Sequence, residues 1–258
     1  MKKKKKFHIK SRHLLVIMTF VCISAIALTV TKTVSISPVR EAAGMLIVPF
    51  QNGINSVGSW LSEKQSGFQN VEKLADLVFG FENDVIRQMA DYGFHAVSLW
   101  DDWGTQTDLM VAPDYWRRVF KPRYKEQFRI AHEHGLDVFF HSCGKVDEIV
   151  PDLIEVGVDM LNLGQPALNA PDCKSGIEHM GKLYAGKVCF CTPADYQTTS
   201  IQGTPAENRE EVRRIIESMD TPDGGLIAYI LDYTENMGMP KENYRAIIDA
   251  FVEYGKKS

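Results

Sequence analysis

The sequence predicts an α/β protein with a parallel sheet, preceded by a single membrane-spanning helix. From about residue 74, short apolar β-type runs alternate with amphipathic helical stretches, a pattern typical of parallel α/β architectures. Residues 14–30 form an uncharged apolar run near the lower limit of the roughly 17–25 residues that cross a bilayer. We therefore divide the chain into a basic head at 1–13, a transmembrane helix at 14–30, a juxtamembrane segment at 31–73 and an α/β region at 74–258.

The charge distribution supports a membrane anchor. Residues 1–13 carry seven Lys and Arg residues, which leaves 22 basic against 33 acidic residues in the rest of the chain. This acidic remainder argues against nucleic acid as a partner, because phosphate binding needs a basic surface. The positive-inside rule predicts a single-pass protein with a cytoplasmic N-terminus. A cleaved signal peptide is the alternative, and we favour the anchor because the apolar run is long and no small-x-small site follows it.

The cysteines point to a different compartment. The chain has five cysteines over 258 residues, an odd number in a sequence too long for a small disulfide scaffold. Reduced thiols are therefore expected, and with them a cytosolic ancestry of the α/β region. An anchor with its N-terminus in the cytoplasm would instead place that region outside the membrane, so the two predictions conflict.

Five strands and six helices are predicted in the α/β region. The strands are residues 96–100, 136–143, 159–166, 187–194 and 226–232. The helices are residues 82–92, 113–134, 145–156, 173–184, 205–219 and 240–254, and Thr204, Pro205 and Glu207 give one of them a capping-box start. The spacing fits either an open doubly wound sheet or part of a (β/α)8 barrel. In both architectures, ligands bind at the carboxyl ends of the strands.

A histidine and a cysteine at one strand end are candidate metal ligands. His141 and Cys143 are two residues apart in a strand, so their side chains point to the same face. Imidazole and thiolate are ligands that zinc favours. Cys191, at the end of another strand, is the best remaining thiol for a third ligand, while Cys189 is interpreted as a buried apolar residue. Plain packing of His141 and Cys143 is the alternative.

Two adjacent acids are the candidate catalytic residues. Asp101 and Asp102 follow the first strand, and neighbouring residues in an extended segment point to opposite sides, so they are not expected to form an acid/base dyad. One is expected to contact substrate or orient a base and the other to cap the loop, unless both are solvated loop acids. The predicted substrate-binding residues lie at or after strand ends, and they are Trp103, Gln106, Asn162, Gln165 and Asp232.

The N-terminal part has a recognisable motif. The string VPFQNGINSVGSWLS at 48–62, with the preceding apolar run, resembles the start of the rod-shape determining protein MreC family over about residues 1–70. That resemblance implies a non-enzymatic membrane-anchored scaffold in cell-shape control. In the MreC family a coiled coil and a β-rich domain come next, and this sequence continues with neither.

The α/β region carries a second resemblance. The strings at 99–125, 139–166 and 203–217 occur in the order found in the uroporphyrinogen decarboxylase superfamily, which this region resembles over about residues 75–258. The resemblance implies an incomplete (β/α)8 TIM barrel made of about the five C-terminal βα units. It also places the HSCG string, and so His141 and Cys143, on the zinc-ligand pair of the methyltransferase branch.

The third ligand of that branch is missing. The branch has a cysteine near its C-terminus in a Gly-Cys-Gly context, whereas this sequence has YILDYTENMG at 229–238, so Asp232 or Cys191 would have to replace it. The resemblance implies zinc/thiolate-dependent methyl transfer from a corrinoid or another methyl donor. A uroporphyrinogen-type decarboxylase of porphyrin biosynthesis is the alternative, but its substrate-gripping arginines lie largely in the N-terminal half that this chain lacks.

Whether the chain is a working enzyme stays open at this point. A barrel that lacks three strands would expose two sheet edges. The chain could be a fusion without catalytic competence, could complete its barrel with a second chain, or could be a membrane-tethered interaction module. Its expected partners are the membrane, through residues 14–30, and a small-molecule substrate or a corrinoid protein.

Overall fold

The computed structural model describes residues 68–230 and 237–256. The predicted transmembrane helix at 14–30, most of the juxtamembrane segment and the candidate residue Asp232 lie outside the described residues. No helix in the described ranges combines the length and the hydropathy that a membrane crossing requires. The anchor, the orientation and the resemblance to the MreC family therefore stay predictions.

Five parallel strands form one sheet. They are β1 (Ala96–Trp100), β2 (Asp137–Ser142), β3 (Met160–Leu163), β4 (Cys189–Thr192) and β5 (Leu226–Ala228). Their order in the sheet is β1-β2-β3-β4-β5, and each pairs in parallel with the next. A doubly wound sheet would reverse its strand order at a switch point, whereas adjacent strands of a barrel follow one another. The sheet is therefore consistent with a segment of a (β/α)8 barrel.

The described part of the chain has eight α-helices. They are α1 (Phe68–Ala90), α2 (Pro113–Val119), α3 (Lys121–Glu133), α4 (Val150–Val156), α5 (Gly176–Tyr184), α6 (Thr199–Gln202), α7 (Pro205–Met219) and α8 (Lys241–Tyr254). A 3₁₀ turn at Pro166–Leu168 follows β3. The predicted capping box of α7 is confirmed, since Thr204 and Glu207 each accept a hydrogen bond from the other's backbone N–H.

Four predicted helices differ from the observed ones, and one of them, predicted at 145–156, begins only at Val150. The predicted helix at 113–134 is two helices that meet at Phe120, because Pro122 has no N–H with which to continue the hydrogen-bond ladder. The helix predicted at 82–92 starts much earlier, at Phe68. The helix predicted from residue 173 starts at Gly176, which leaves Cys173 in a loop with a left-handed φ of 53°.

The two faces of the sheet have different roles. Phe140 of β2 is fully buried against α3, with ring centroids 5.2 Å from Tyr124 and 6.1 Å from Phe128. His141, the next residue, points the other way and stacks on Trp100 of β1 at 4.1 Å. Because side chains alternate along a strand, the aromatic core fills the helix side and leaves polar groups on the opposite, barrel-interior side.

Candidate metal centre

Three potential metal ligands converge beyond the carboxyl ends of β1 and β2. His141 Nε2 lies 3.3 Å from Cys143 Sγ and 3.3 Å from Asp102 Oδ1. One ligand atom from each residue lies within 4.8 Å of the other two. The His141 side chain is buried, while that of Asp102 is 55% exposed. The group is therefore anchored in the protein on the histidine side and open to solvent on the aspartate side.

Asn162 of β3 determines which nitrogen of His141 faces this group. The backbone carbonyl of Cys191 can only accept a hydrogen bond, so it must receive the Asn162 Nδ2–H. Asn162 Oδ1 is then the acceptor for His141 Nδ1–H. With its proton on Nδ1, a neutral His141 directs the lone pair of Nε2 toward Asp102 and Cys143.

Three groups whose lone pairs face one another favour a cation between them. Burial, the largest influence, lowers the pKa of His141, but hydrogen bonds with Asp102, Cys143 and Asn162 outweigh it and raise the pKa to about 9. The hydrogen bond with His141 lowers the pKa of Asp102. The arrangement thus favours a positive charge at Nε2, which a proton or a metal ion can supply.

Gly104 and Gly144 allow close contact between two loops. One is the loop after β1 that carries Asp102 (the aspartate loop), and the other is the loop after β2 that carries Cys143 (the cysteine loop). Gly104 N–H donates to the carbonyl of Cys143 at 3.1 Å, and Lys145 N–H donates to the carbonyl of Thr105 at 2.8 Å. A Cβ on Gly104 would lie 2.5 Å from the backbone nitrogen of Lys145, so the two backbones are in direct contact. Cys143 N–H also donates to Asp102 Oδ1 at 2.8 Å. The position of Asp102 is therefore coupled to β2, which carries His141, and to the loop after it, which begins with Cys143.

A second network holds the cysteine loop from the side of β3. Gln165 Oε1 accepts from Gly144 N–H, and Gln165 Nε2 donates to the hydroxyl of Tyr196. Asn169 Oδ1 accepts from Val146 N–H at 2.8 Å. Burial and the proximity of the Cys143 thiol raise the pKa of Tyr196, so its phenol stays protonated. The amide of Gln165, predicted to bind substrate, is thus engaged at both ends within the protein.

The two adjacent aspartates face opposite sides, as the sequence predicted. Asp101 Oδ2 accepts from the Tyr124 hydroxyl at 2.6 Å on the helix side, whereas Asp102 faces His141. Burial raises the pKa of Asp101, the hydrogen bond from Tyr124 opposes this shift, and the charge of Asp102 adds to it. Glu82 of α1 lies close enough to Asp101 for their charges to repel. The two aspartates therefore do not form a dyad, and the site uses Asp102.

The structure shows where three residues that were predicted to bind substrate lie, and two of them contact other protein groups instead. Asn162 is fully buried, and both ends of its amide are hydrogen-bonded. Its oxygen contacts His141, so the amide is not available to a substrate. Trp103 follows Asp101 onto the helix side, where its Nε1 donates to Tyr124 at 2.9 Å. Gln106 is exposed in the loop after β1, in a position open to a ligand.

The proposed third ligand differs as well. Cys191 is buried, and burial raises the pKa of its thiol to about 12. It is not part of the group of candidate ligands among the described residues, and Asp102 occupies that role instead. Cys189 is buried, as predicted. The sequence interpretation assigns Asp102 to catalysis because it follows a strand end, and nothing in the sequence indicates that it lies beside Cys143, which follows the next strand.

Tyr196 is a site residue that the sequence interpretation missed. It lies four residues after the end of β4, at the same edge of the sheet as the candidate ligands. Its distance from the strand end hides its position, because the turn at 195–198 must fold back to bring the phenol toward Gln165. A hydroxyl-bearing aromatic residue shortly after a predicted barrel strand was the available signal.

The family match covers most of the chain. Residues 38–254 match the family model described as uroporphyrinogen decarboxylase (URO-D). The chain belongs to the uroporphyrinogen decarboxylase family. The match begins inside the segment 31–73 that we assigned to the juxtamembrane region. In this URO-D family chain, the described strands, loops and candidate ligands all lie within the matched range.

Solved structures add little to the family assignment. The citrate synthase SbnG has 12% identity and a TM-score of 0.43, over 67% of this chain and 71% of that chain. The native xylanase 10B from Thermotoga maritima has 11% identity and a TM-score of 0.44, over 75% of this chain and 70% of that chain. A comparison with curated proteins gives no match. Likeness at this level says nothing about the reaction of the URO-D chain.

Proposed function

We propose that this chain carries out zinc- and thiolate-dependent methyl transfer, with a thiol as the acceptor. The observation that supports this most strongly is the convergence of Asp102 Oδ1, His141 Nε2 and Cys143 Sγ within 4.8 Å of one another. Oxygen, nitrogen and thiolate ligands suit zinc, and catalytic zinc sites have three protein ligands and one open position. The exposed side of Asp102 leaves room for such a position.

The surrounding residues prepare this ligand set. Asn162 holds the proton of His141 on Nδ1 and so keeps Nε2 available, which is the usual role of a hydrogen-bond partner behind a ligating imidazole. Cys143 N–H holds the carboxylate of Asp102 at 2.8 Å. A ligand set that is positioned in advance binds a metal without a large ordering cost.

The reaction follows from the chemistry of thiols. Bound zinc would lower the pKa of an incoming thiol and present it as a thiolate. The thiol loses its proton, its sulfur forms a bond to the methyl carbon, and the donor departs with the electron pair of the broken bond. The exposed side of Asp102 is where a thiol would reach the metal, and Gln106 is exposed in the loop that carries Asp102. A methylated corrinoid is the proposed donor class, delivered by a partner protein.

The lysine that follows the candidate ligands does not support the alternative, decarboxylation of an acidic substrate. A carboxylate-rich substrate requires cationic side chains at the site. Lys145, which follows the candidate ligands, is 8% exposed, and its Nζ is paired with Asp147. It is therefore not available to bind a substrate carboxylate.

Replacing Cys143 with serine tests the proposal. We expect the full-length protein to bind about one zinc per chain and Cys143→Ser to lose that stoichiometric zinc, since a serine hydroxyl is a poor zinc ligand at neutral pH. Zinc content after dialysis and methyl transfer from methylcobalamin to a small thiol are the measurements. Cys173→Ser is the matched control, because Cys173 lies in a loop away from the ligand group. Stoichiometric zinc in Cys143→Ser, or none in the wild type, would refute the proposal.

Asn162→Leu should weaken zinc binding without removing a ligand. The substitution keeps the branched shape and the number of heavy atoms of asparagine but leaves His141 Nδ1–H and the Cys191 carbonyl without their partner. We expect a loss of about 10- to 100-fold in zinc affinity, measured by competition with a chromophoric chelator. An unchanged affinity would mean that Asn162 does not orient the histidine.

A further inference from the structure

The turn after β4 brings a phenol to the candidate ligand group. The carboxylate of Asp195 accepts hydrogen bonds from the backbone N–H groups of residues 197, 198 and 199 at 2.8, 3.0 and 3.1 Å. Glu211 of α7 in turn accepts from Asp195 N–H. Hydrogen bonds therefore hold the turn on both sides of Tyr196, whose phenol is half-buried.

The surroundings of Gly164 show how close the Tyr196 phenol lies to the Cys143 thiol. A Cβ built on Gly164 would lie 2.9 Å from Cys143 Sγ and 3.4 Å from the Tyr196 hydroxyl oxygen. The Cys143 sulfur and the Tyr196 oxygen therefore both border the space beside Gly164, which has no side chain to fill it. Besides burial, the Cys143 thiol is among the groups that raise the pKa of Tyr196, as expected for close neighbours.

The direction of the phenol proton follows from one backbone group. Gly144 N–H can only donate, so it must face the oxygen of the Gln165 amide, and Nε2 of that amide then donates to the Tyr196 oxygen. Because the hydroxyl oxygen accepts this bond, its own proton is free to donate elsewhere. Cys143 Sγ is the acceptor that the contacts around Gly164 bring next to it.

We infer that Tyr196 is a positioning residue that donates its O–H to the sulfur of Cys143 and thereby tunes the thiolate as a metal ligand. The inference rests on the proposed function, since it concerns the same metal centre. A hydrogen bond to a ligating sulfur withdraws electron density from it and fixes its direction, and such partners change the properties of a metal site without touching the metal. The same bond prevents the sulfur from turning away from His141.

Cobalt(II) provides the test, because a cobalt–thiolate centre has a sulfur-to-metal charge-transfer band. In Tyr196→Phe, loss of the hydrogen bond raises the energy of the sulfur lone pair, so this band is expected to shift to longer wavelength. Cobalt affinity should fall by about tenfold. Tyr184→Phe is the matched control, because Tyr184 ends α5 and packs on Lys187 away from the site. Its band should coincide with that of the wild-type protein.

The outcomes separate this inference from the proposed function. If wild-type full-length protein shows no cobalt–thiolate band, the metal centre and the role of Tyr196 both fail. If the wild-type band is present and Tyr196→Phe leaves it unchanged, only the role of Tyr196 fails. Should circular dichroism show that Tyr196→Phe is unfolded, Gly164→Ala replaces it, because its methyl group separates the phenol from the thiol while both remain. The same shift is expected there, and an unchanged band would overturn the inference.

Discussion

Replacing Gly144 with alanine is expected to lower the free energy of unfolding by more than about 3 kcal/mol and to abolish stoichiometric zinc binding. Gly144 has a φ of 79°, a left-handed conformation that costs a residue with a Cβ roughly 1–2 kcal/mol. The added Cβ would also lie 2.3 Å from the carbonyl carbon of Gly104 and 2.6 Å from the carbonyl oxygen of Thr105. These are backbone atoms, so no change of rotamer relieves the clash.

The metal centre would be lost for the same reason. Gly144 follows Cys143 directly, and Gly104 lies two residues after Asp102. Forcing the two loops apart would separate the carboxylate from the thiol that it must join. The measurement is urea unfolding followed by tryptophan fluorescence, combined with zinc content after dialysis.

Gly93→Ala separates the two contributions to this loss. Gly93 has nearly the same φ, 78°, but nothing lies within 4 Å of its added Cβ. It should therefore show the conformational cost alone, roughly 1–2 kcal/mol, and keep its zinc. If Gly144→Ala were no more destabilising than Gly93→Ala, close contact between the two loops would not be needed for folding.

The fold could be predicted from the sequence wherever periodicity and local signals agreed. β1 runs over the predicted residues 96–100, and α7 follows its capping box over the predicted 205–219. The start of α1 at Phe68 was missed, because it lies in a segment that was interpreted by resemblance rather than by periodicity. Strand order within the sheet needed the structure, since spacing alone is the same in barrels and doubly wound sheets.

The site was predictable where alternation along a strand decides the direction of a side chain. His141 and Cys143 share a face, and Asp101 and Asp102 diverge, as the extended backbone requires. Alternation along one strand does not show which residue of the neighbouring strand pairs with a given position. Asn162 is therefore found beside His141 rather than at a substrate, a consequence of the pairing of these two residues in the β2–β3 register.

The buried acid cluster on the helix side leads to a prediction about pH. Glu82 of α1 accepts a hydrogen bond from Gln127 of α3 at 2.8 Å and is close to Asp101 at the end of β1. Burial, followed by repulsion from Asp101, raises the pKa of Glu82 from 4.5 to about 7, although the bond from Gln127 opposes the shift. Burial and these acids also raise the pKa of Tyr124, the third titratable group of the cluster.

Glu82→Gln is expected to remove a loss of stability that the wild-type protein suffers as the pH rises. The folded state favours the protonated form of Glu82, so this contribution is fully present below pH 4.5 and is lost as the pH rises through about 7. The difference between the two pKa values corresponds to about 3 kcal/mol. Glutamine resembles the protonated acid and does not ionise, so the variant should gain this amount relative to the wild type between about pH 5 and pH 8.

Urea unfolding at a series of pH values measures the effect, with Glu126→Gln as the control. Glu126 is exposed on α3, and its hydrogen bond with Arg129 lowers its pKa, so its contribution changes only at acidic pH and with the opposite sign. Between pH 6 and pH 8 the control should parallel the wild type. Parallel curves for Glu82→Gln and the wild type in that range would mean that Glu82 is already charged in the folded protein. The packing of α1 on α3 would then have to accommodate two neighbouring carboxylates.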